Sequence, residues 1–478
     1  MVDRLMVLTH YLQYKYFRSF PSRRALECWQ KKKISAHLKY VAAHSPLYRG
    51  KTSLEEYPVI DKTYMMKHFD QLNTAGVRRK EAEDLAVKAE RDRDFTPKLQ
   101  PSPSRPRQPS QKIGIPQLLK GKKGITVGLS SGTSGQQGLF LVSDREKNQW
   151  AGYILARFLD RGIMGSYDIA FFMRADSNLY QAVSSRNIRF HFFDIYRGME
   201  EHTKRLALLK PQILAGQPSV LLLLAEKRHR GALDIHPRMV ISIAEVLEKE
   251  DEKRLKEAFE LPVIHQVYQC TEGCLASTCP RGTLHLHEDI VHIDREYLDK
   301  WRFIPVITDF ERRTQPIIRY RMNDILVERS KPCPCGSPFL ALEKIEGRED
   351  DMFSFYGEDG KEKRVFPDFI RRCILFAAGG TNSMEDRSAS GLKDSDLKVP
   401  APNMIRPKWS GEYRVVQEPD KSITVYADLG EQKRQQILRE FTILARDQKF
   451  ILPKVRFTPY LQEQGRKMKR IERKVLHK

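Results

Sequence analysis

SSGTSGQQG, at residues 130–138, is the most informative segment of the sequence. Its three glycines allow backbone N–H groups to approach an anion closely, and its serine and threonine hydroxyls add hydrogen-bond donors. The segment does not end in the Gly-Lys-Ser/Thr of a Walker A loop, so it is not that kind of nucleotide-binding loop. Taken alone, a stretch rich in serine and glycine is also compatible with an ordinary turn.

The residues on either side of this segment predict an α/β fold. Residues 125–129 have the pattern of a short strand, and residues 146–161 have the pattern of an amphipathic helix. From residue 189 to residue 267, short apolar runs alternate with helical patterns, as in βαβ units. Residues 1–77 are predicted to be mainly helical. We therefore predict a large N-terminal domain of several subdomains over residues 1–346.

A different organisation is predicted from residue 347 onwards. The predicted elements are strands at 413–417 and 423–428, a helix at 431–448 and a strand at 455–460. This order predicts a small α+β domain over residues 347–478. Two segments predict insertions: a flexible basic one at residues 97–123, rich in proline, serine and lysine, and a polar one at residues 377–410, with glycine, serine and proline.

Composition bounds the class of protein. The chain has 478 residues, with 83 Lys and Arg against 61 Asp and Glu, which gives a formal net charge of +22. The 40% of apolar residues excludes a wholly disordered chain, and the seven Cys do not indicate a disulfide framework at this length. No apolar stretch approaches the ~18 residues that span a bilayer. We expect a cytoplasmic protein with no membrane span and, since no RNP-type aromatic pattern accompanies the basic segments, no specific nucleic-acid partner.

Three further motifs follow the glycine-rich segment in order. They are YQCTE at residues 268–272, RYRMND at residues 319–324 and GREDD at residues 347–351. With this order and spacing the chain resembles the adenylate-forming superfamily, which contains acyl-CoA synthetases, luciferases and the adenylation domains of peptide synthetases. SPLYR at residues 45–49, PIIRYR at residues 316–321 and CPCG at residues 333–336 resemble the phenylacetate–CoA ligase-like branch. Within it, the chain most resembles a group related to synthetases that adenylylate a deazaflavin coenzyme.

The resemblance implies ATP-dependent activation of a small-molecule carboxylic acid as an acyl-adenylate, followed by thioester formation with CoA. Charge on the transferring phosphoryl group must be stabilised, which hydrogen-bond donors and Mg²⁺ do. By resemblance, Thr271 contacts the α-phosphate, Glu272 ligates Mg²⁺ and Tyr268 stacks on adenine. Asp324 accepts the ribose hydroxyls, with Arg348 nearby. The β- and γ-phosphates are assigned to Ser130, Ser131, Gly132, Thr133, Ser134 and Gly135.

The resemblance also implies that the small C-terminal domain is mobile and rotates between an adenylating and a thioester-forming pose, with Asp350 as the hinge. The tail QGRKMKR at residues 464–470 resembles the family's terminal Gly-Lys motif. Lys467 is the predicted catalytic lysine, and Arg466 and Lys469 lie close enough to leave this register open. The end of the glycine-rich segment departs from the family pattern, which leaves a cationic phosphate contact there in doubt.

A candidate metal site is formed by Cys279, His285, Cys333 and Cys335. A Cys and a His six residues apart, followed by a Cys-x-Cys pair, supply four sulfur and nitrogen ligands, which suits a tetrahedral structural Zn²⁺ site. The Cys-x-Cys spacing is tighter than the usual Cys-x-x-Cys, and His287 could replace His285. The alternative is a set of ordinary buried or free thiols.

The sequence does not mark the acid, the acyl acceptor or the oligomeric state. By resemblance, the acyl pocket lies near residues 216–219, around Gln269 and Gly273, and beside residues 150–155. One alternative function is adenylation with another acceptor, such as an amine, a carrier-protein thiol or a cofactor. Others are an inactive scaffold, suggested by the altered loop end, and a zinc-containing nucleic-acid-binding protein, suggested by the charge.

Overall fold

The computed structural model describes residues 2–92, 94–101, 124–129, 138–159, 162–163, 165–173, 187–195, 197–379, 412–460 and 469–474. The chain divides into two compact units: Met1–Met322 with Leu326–Ile345, and Asn323–Ile325 with Glu346–Lys478. The division after Ile345 differs by one residue from the predicted boundary after residue 346. The short segment Asn323–Ile325, predicted within the first domain, clusters with the second unit.

The first unit begins with helices. Within the described residues they are α1 (Val2–Leu12), α2 (Arg23–His44), α3 (Lys62–Lys67), α4 (Phe69–Leu72) and α5 (Arg79–Asp92). A π-helical turn at Gln13–Phe17 continues α1, and a 3₁₀ turn lies at Leu54–Glu56. Ser22 caps α2 by accepting a hydrogen bond from the Ala25 N–H, and α2 ends before Pro46. The helical prediction for this region is confirmed.

A β-hairpin and a long helix follow. β1 (Ile125–Leu129) pairs antiparallel with β2 (Leu139–Ser143), and Leu129 is opposite Leu139. α6 (Asp144–Phe158) begins with a capping box in which the side chains of Ser143 and Glu146 each accept a backbone N–H of the other residue. The predicted range was 146–161, so the helix begins two residues earlier and ends three residues earlier than predicted.

A large mixed sheet forms the centre of the first unit. Its strands are β3 (Tyr167–Met173), β4 (Ile188–Asp194), β5 (Ile213–Gly216), β6 (Met239–Ile243), β7 (His265–Gln269), β8 (Cys274–Thr278), β9 (Leu284–Leu286), β10 (Val291–Tyr297), β11 (Arg302–Asp309), β12 (Ile317–Arg321), β13 (Asp324–Glu328) and β14 (Ala341–Arg348). Across the described residues the order is β10-β11-β13-β14-β9-β8-β7-β6-β5-β3-β4, with β12 also paired to β11. The helices between the parallel strands are α7 (Met199–Leu209), α8 (Pro218–His229) and α9 (Lys249–Phe259).

This sheet has a parallel half and an antiparallel half. β4, β3, β5, β6 and β7 are parallel neighbours, whereas β7 with β8, β8 with β9 and β9 with β14 pair antiparallel. Parallel strands with helical crossovers are covered on both faces, and all four residues of β5 are accordingly buried. The predicted α/β class is confirmed. No helix of the described chain is long and apolar enough to cross a membrane.

The second unit is an α+β fold. Its described elements are a 3₁₀ turn (Glu349–Asp351), β15 (Phe353–Tyr356), β16 (Glu362–Val365), α10 (Pro367–Gly379), β17 (Tyr413–Gln417), β18 (Ile423–Ala427), α11 (Glu431–Gln448), β19 (Val455–Thr458) and β20 (Ile471–Arg473). β15 and β16 form a hairpin, and the other strands form a sheet in the order β19-β18-β17-β20. Phe353, Val415 and Phe441 lie in its hydrophobic core. The predicted strands at 413–417, 423–428 and 455–460 and the helix at 431–448 are all observed, with β18 and β19 ending one and two residues early, whereas β20 was not predicted.

Both predicted insertions begin too early. Leu99 forms an antiparallel bridge with Ile125, with N···O distances of 3.0 and 2.9 Å, and packs against the core. Lys98 Nζ lies 2.5 Å from Asp144 Oδ1. In the second insertion, α10 continues to Gly379 and buries Ala377. The prediction of insertions is wrong at residues 97–101 and 377–379, because a single apolar residue is enough to anchor a polar segment to the core. Residues 102–123 and 380–410 lie outside the described residues.

We expect that replacing residues 102–123 by a short Gly-Ser linker leaves the thermal unfolding temperature unchanged. Deleting residues 97–123 should instead lower stability by ~1–3 kcal/mol, because the Leu99 bridge and the Lys98–Asp144 ion pair are lost. Differential scanning calorimetry of the two deletions checks this. Equal destabilisation by both would show that residues 102–123 are themselves structural.

Candidate active site

The carboxyl ends of the parallel strands lie at one edge of the sheet, where open α/β sheets place their ligands. β5 ends there at Gly216, and α8 begins two residues later at Pro218. The Ser219 N–H donates to Glu245 Oε2 at 3.2 Å, which connects the segments that follow β5 and β6. β7 ends at the same edge with Gln269. The residues assigned by resemblance to an acyl pocket, near 216–219 and at Gln269, therefore lie at the carboxyl ends of β5 and β7, which β6 separates.

Thr271 and Glu272 form the tip of a tight turn between β7 and β8. The Cys270 N–H donates to Gly273 O at 3.0 Å, and the Gly273 N–H donates to Cys270 O at 3.3 Å. Glu272 is buried, and the Tyr320 hydroxyl donates to its Oε1 at 3.0 Å. Burial raises the pKa of Tyr320, so this hydroxyl remains a donor. No other described residue hydrogen-bonds the carboxylate, which leaves its second oxygen available for a hard cation.

Arg312 fixes this turn and was not identified from the sequence. Its Nη1 donates to Thr271 O at 2.9 Å and to Glu272 O at 3.5 Å. Its Nη2 donates to Leu141 O in β2 at 3.3 Å and to Gln315 Oε1 at 3.5 Å. A guanidinium presents its donors in a rigid planar fork, which suits a group that holds several carbonyls. The turn is thereby attached to β2, the strand that follows the glycine-rich segment.

Gln315 and Glu146 complete the framework around the turn. Gln315 accepts from the Leu141 N–H at 2.9 Å and donates to Leu139 O at 3.1 Å, so it pairs with the backbone of β2. Glu146 Oε1 accepts from the Arg313 N–H at 2.6 Å. These residues hold the β11–β12 connection against the start of α6. One sequence signal could have located this connection. It is the run of polar residues between two apolar strands, shortly before the RYRMND motif.

Asp309 lies beneath the turn at the end of β11. Burial raises the pKa of Asp309 to about 7. Its Oδ1 accepts from the Glu311 N–H at 2.9 Å and from the Arg312 N–H at 3.2 Å. A Cβ at Gly273 would come within 3.2 Å of Asp309 Oδ2. Glycine at this position therefore lets the turn approach the buried carboxyl group closely.

Several predicted site residues lie outside the described residues, and one lies in the hydrophobic core. The glycine-rich segment joins the ends of β1 and β2, but residues 130–135 lie outside the described residues. The same holds for Lys467. Tyr268 lies in β7 and is a member of the hydrophobic core. Stacking on adenine requires an open ring face, and this role of Tyr268 stays a prediction.

Asp324 and Arg348 both belong to the second unit and lie close together. Arg348 Nε is 3.6 Å from Asp324 Oδ1. The neighbouring Asn323 side chain donates to Asp350 Oδ2 and accepts from the Asp350 N–H at 3.3 Å. Asn323 O also accepts from the Glu349 N–H at 2.8 Å. Asn323 therefore connects the predicted ribose-binding carboxylate to the predicted hinge residue.

Lys469 is paired with a buried carboxylate of the second unit. Its Nζ lies 2.7 Å from Asp351 Oδ1. Burial raises the pKa of Asp351, and the charge of Lys469 opposes this shift. Arg473, the last residue of β20, donates from Nε to Asp350 O at 3.1 Å, so this strand is attached to the 3₁₀ turn at Glu349–Asp351. This pairing gives Lys469 a structural role within the second unit.

Cys279, His285, Cys333 and Cys335 converge on one point. Their ligand atoms all lie within 4.8 Å of one another. Cys279 Sγ is 3.8 Å from Cys333 Sγ, and Cys335 Sγ is 3.4 Å from His285 Nε2. Tetrahedral Zn²⁺ with Zn–S of about 2.3 Å and Zn–N of about 2.0–2.1 Å requires S···S of about 3.8 Å and S···N of about 3.5 Å. Both measured separations agree with this geometry.

His285, and not His287, belongs to this cluster. His285 Nδ1 lies 3.1 Å from Phe339 O, so Nδ1 carries the proton and Nε2 faces the sulfurs. His287 instead makes hydrogen bonds of 3.0 Å to Cys274 O and 2.7 Å to Ser277 Oγ. Burial lowers the pKa of His287 to about 3, which keeps its ring neutral in the core.

Comparison with known proteins identifies the fold. No protein-family model matches the sequence, and no curated protein matches it. The chain is similar to crystal structures of 2-hydroxyisobutyryl-CoA ligase. The postadenylation complex with R3-HIB-AMP gives a TM-score of 0.60 at 15% identity, covering 93% of this chain and 88% of that chain. The chain has the fold of this CoA ligase.

Two further structures of the same ligase agree with this assignment. The postadenylation complex with 2-HIB-AMP gives a TM-score of 0.59 at 16% identity, over 93% of this chain and 88% of that chain. The open conformation with 2-HIB-AMP and CoA gives 0.52 at 16% identity, over 92% and 89%. The predicted resemblance to the adenylate-forming superfamily is confirmed at the level of the fold, and its phenylacetate–CoA ligase-like branch stays a prediction.

Within the adenylate-forming ligase fold, the cluster and the turn lie at opposite ends of β8. Gly273 immediately precedes β8, and Cys279 immediately follows it. Ser277 and Thr278 in this strand are buried, and the strand pairs with β7 on one side and β9 on the other. A rigid β8 therefore links the position of Thr271 and Glu272 to the Cys/His cluster.

Proposed function

We propose that this chain activates a carboxylic acid with ATP and then transfers the acyl group to CoA. A carboxylate oxygen attacks the α-phosphorus and pyrophosphate leaves; the CoA sulfur then attacks the acyl carbonyl and AMP leaves. The Thr271–Glu272 turn carries this proposal, because it offers a hydroxyl and a partly unengaged carboxylate at the ligand-binding edge of the sheet. The solved neighbours support it, since their complexes contain an acyl-AMP and one contains CoA as well.

Each residue has a defined task in this proposal. The Thr271 hydroxyl donates to the α-phosphate, and the free oxygen of Glu272 holds Mg²⁺, which offsets the phosphate charge. Tyr320 and Arg312 position these two residues through the contacts described above. Asp324 accepts the ribose hydroxyls. The β- and γ-phosphates are assigned to the backbone of residues 130–135.

The second unit supplies the remaining groups. Lys467 offsets the repulsion between the incoming carboxylate and the α-phosphate, as a point charge can. Asp350 is proposed as the hinge about which this unit reorients between the two half-reactions. Its hydrogen bonds to Asn323 would then restrain the hinge next to Asp324. The acid itself stays open, because the residues that would line its pocket are only partly described.

The test is pyrophosphate release across a panel of aliphatic and aromatic carboxylic acids, with and without CoA. We expect acid-dependent release, with an acyl-CoA product when CoA is present. Glu272→Gln and Asp324→Asn should each reduce the rate by ~10²–10³, since each removes one charged contact to the nucleotide or its metal. Glu260→Gln, at an exposed carboxylate on the surface, is the matched control and should retain full activity.

Two outcomes would contradict the proposal. Release that is independent of any acid would indicate simple ATP hydrolysis. Unchanged acid-dependent release in Glu272→Gln would exclude this residue as the metal ligand. A third outcome would keep the adenylation step and change the acceptor. Acid-dependent pyrophosphate release without a thioester product would favour an amine, a carrier-protein thiol or a cofactor as the acceptor.

Lys467 and Lys469 are separated by comparing the half-reactions. Lys467→Ala should slow single-turnover acyl-adenylate formation by ~10²–10³ and spare thioester formation from preformed acyl-adenylate. Lys469→Ala should lower the unfolding temperature, because it leaves Asp351 buried without its cation. Lys469→Arg is the control that keeps the charge pair. An adenylation defect confined to Lys469→Ala would move the catalytic position by two residues.

We also propose that Cys279, His285, Cys333 and Cys335 bind a structural Zn²⁺ ion. Four sulfur and nitrogen ligands complete a tetrahedron and leave no open position, which is typical of structural zinc rather than catalytic zinc. The carbonyl of Phe339 orients the imidazole for this role. The ion would join the turn after β8 to the connection between β13 and β14, and would thereby stabilise the far end of β8.

Elemental analysis of purified protein should find one zinc per chain. Cys333→Ser and Cys335→Ser should lose the metal and unfold at lower temperature, since metal binding contributes to folding free energy. Cys28→Ser, at an exposed thiol outside the cluster, should keep both the zinc and the unfolding temperature. Wild-type protein that stays zinc-free after expression in zinc-supplemented medium would exclude the site.

A further inference from the structure

α1 has two apolar faces, and only one of them is packed. Val7, Tyr11 and Tyr14 are buried in the core that includes α6. The two helices approach closely at Gly152 of α6, where a Cβ would come within 2.7 Å of Val7 O. This contact fixes which face of α1 points away from the protein.

The second apolar face is exposed. It consists of five residues. The first four are spaced three or four positions apart, which places them along one side of the helix and its π-helical extension, and the fifth directly follows the fourth in sequence. They are Leu5 (54% exposed), Leu8 (36%), Leu12 (37%), Tyr16 (62%) and Phe17 (82%). We call these five residues the α1 stripe. Single exposed apolar residues are common on soluble surfaces, whereas a contiguous set on one helix marks an interaction site.

The stretch of sequence that contains the α1 stripe is basic. Residues 1–33 contain eight Lys and Arg against two Asp and Glu, a net charge of +6. Arg4 and Lys15 are exposed on the same helical segment as the stripe, and Lys15 Nζ also donates to Leu159 O at 3.4 Å. Of the nearby acids, Asp3 accepts a hydrogen bond from Asn148 at 2.8 Å, which holds it towards α6. The other acid of residues 1–33, Glu27, is paired with Arg23.

We propose that the α1 stripe docks on an anionic lipid surface, with the five apolar side chains entering the headgroup boundary and Arg4 and Lys15 contacting lipid phosphates. Apolar residues along one side of a helix with flanking cations are the pattern of interfacial membrane helices. A second copy of the chain is the less favourable occupant, because a two-fold pairing of stripes would bring two basic surfaces together. The anionic surface instead pairs with that charge.

Vesicle co-sedimentation of the full chain tests this proposal. We expect binding to vesicles of phosphatidylcholine and phosphatidylglycerol, weak binding to phosphatidylcholine alone, and loss of binding as salt is raised. The double variant Leu5→Ser, Phe17→Ser should bind about tenfold more weakly. Leu208→Ser, at an isolated leucine on α7 that is 88% exposed, is the matched control and should bind like the wild type.

The outcomes distinguish the stripe from the basic segments elsewhere in the chain and from self-association. Equal vesicle binding by the double variant and the wild type would overturn the proposal, because those basic segments would then account for the binding. No binding to anionic vesicles would overturn it as well. Self-association in sedimentation velocity that the double variant abolishes would assign the stripe to a second copy of the chain. Circular dichroism of each variant confirms that it is folded, and none of these readouts depends on ligase activity.

Discussion

The guanidinium of Arg312 joins three parts of the first unit that are distant in sequence: β2, the Thr271–Glu272 turn and the β11–β12 connection. Each contact satisfies a backbone or side-chain oxygen that would otherwise be costly to bury. The turn cannot be displaced from β2 without breaking these bonds. Since β2 follows the glycine-rich segment, the position of the proposed α-phosphate contact depends on this one side chain.

A second constraint acts through β8. The strand begins next to Gly273, which lies close to the buried carboxyl group of Asp309, and Cys279 of the Cys/His cluster directly follows its last residue. A metal at the cluster would therefore stabilise one end of a short strand whose other end carries Glu272. The second unit has a comparable connection, because Lys469 and Arg473 attach β20 to the 3₁₀ turn that contains Asp350. In each unit, a residue with a predicted role, Glu272 or Asp350, is held in place by residues outside its own sequence motif.

Much of this could be predicted from the sequence, because periodicity and motif order are local properties. β1 was predicted at its observed limits, and so was the long helix of the second unit. Arg312 could not be predicted, since its role depends on carbonyls that only the folded chain brings together. The choice of His285 over His287 likewise required the positions of Phe339 and Ser277. Leu99 was assigned to a flexible insertion because its neighbours are polar, yet its backbone pairs with Ile125.

The most direct test of the central claim follows oxygen from the acid. If the carboxylate attacks the α-phosphorus, an ¹⁸O-labelled acid must transfer one labelled oxygen to AMP when the acyl group leaves. Mass spectrometry of the nucleotide and phosphate products after a single turnover measures this. The account predicts ¹⁸O in AMP and none in pyrophosphate. Label in inorganic phosphate, with ADP as the nucleotide product, would show activation through an acyl phosphate and would contradict it.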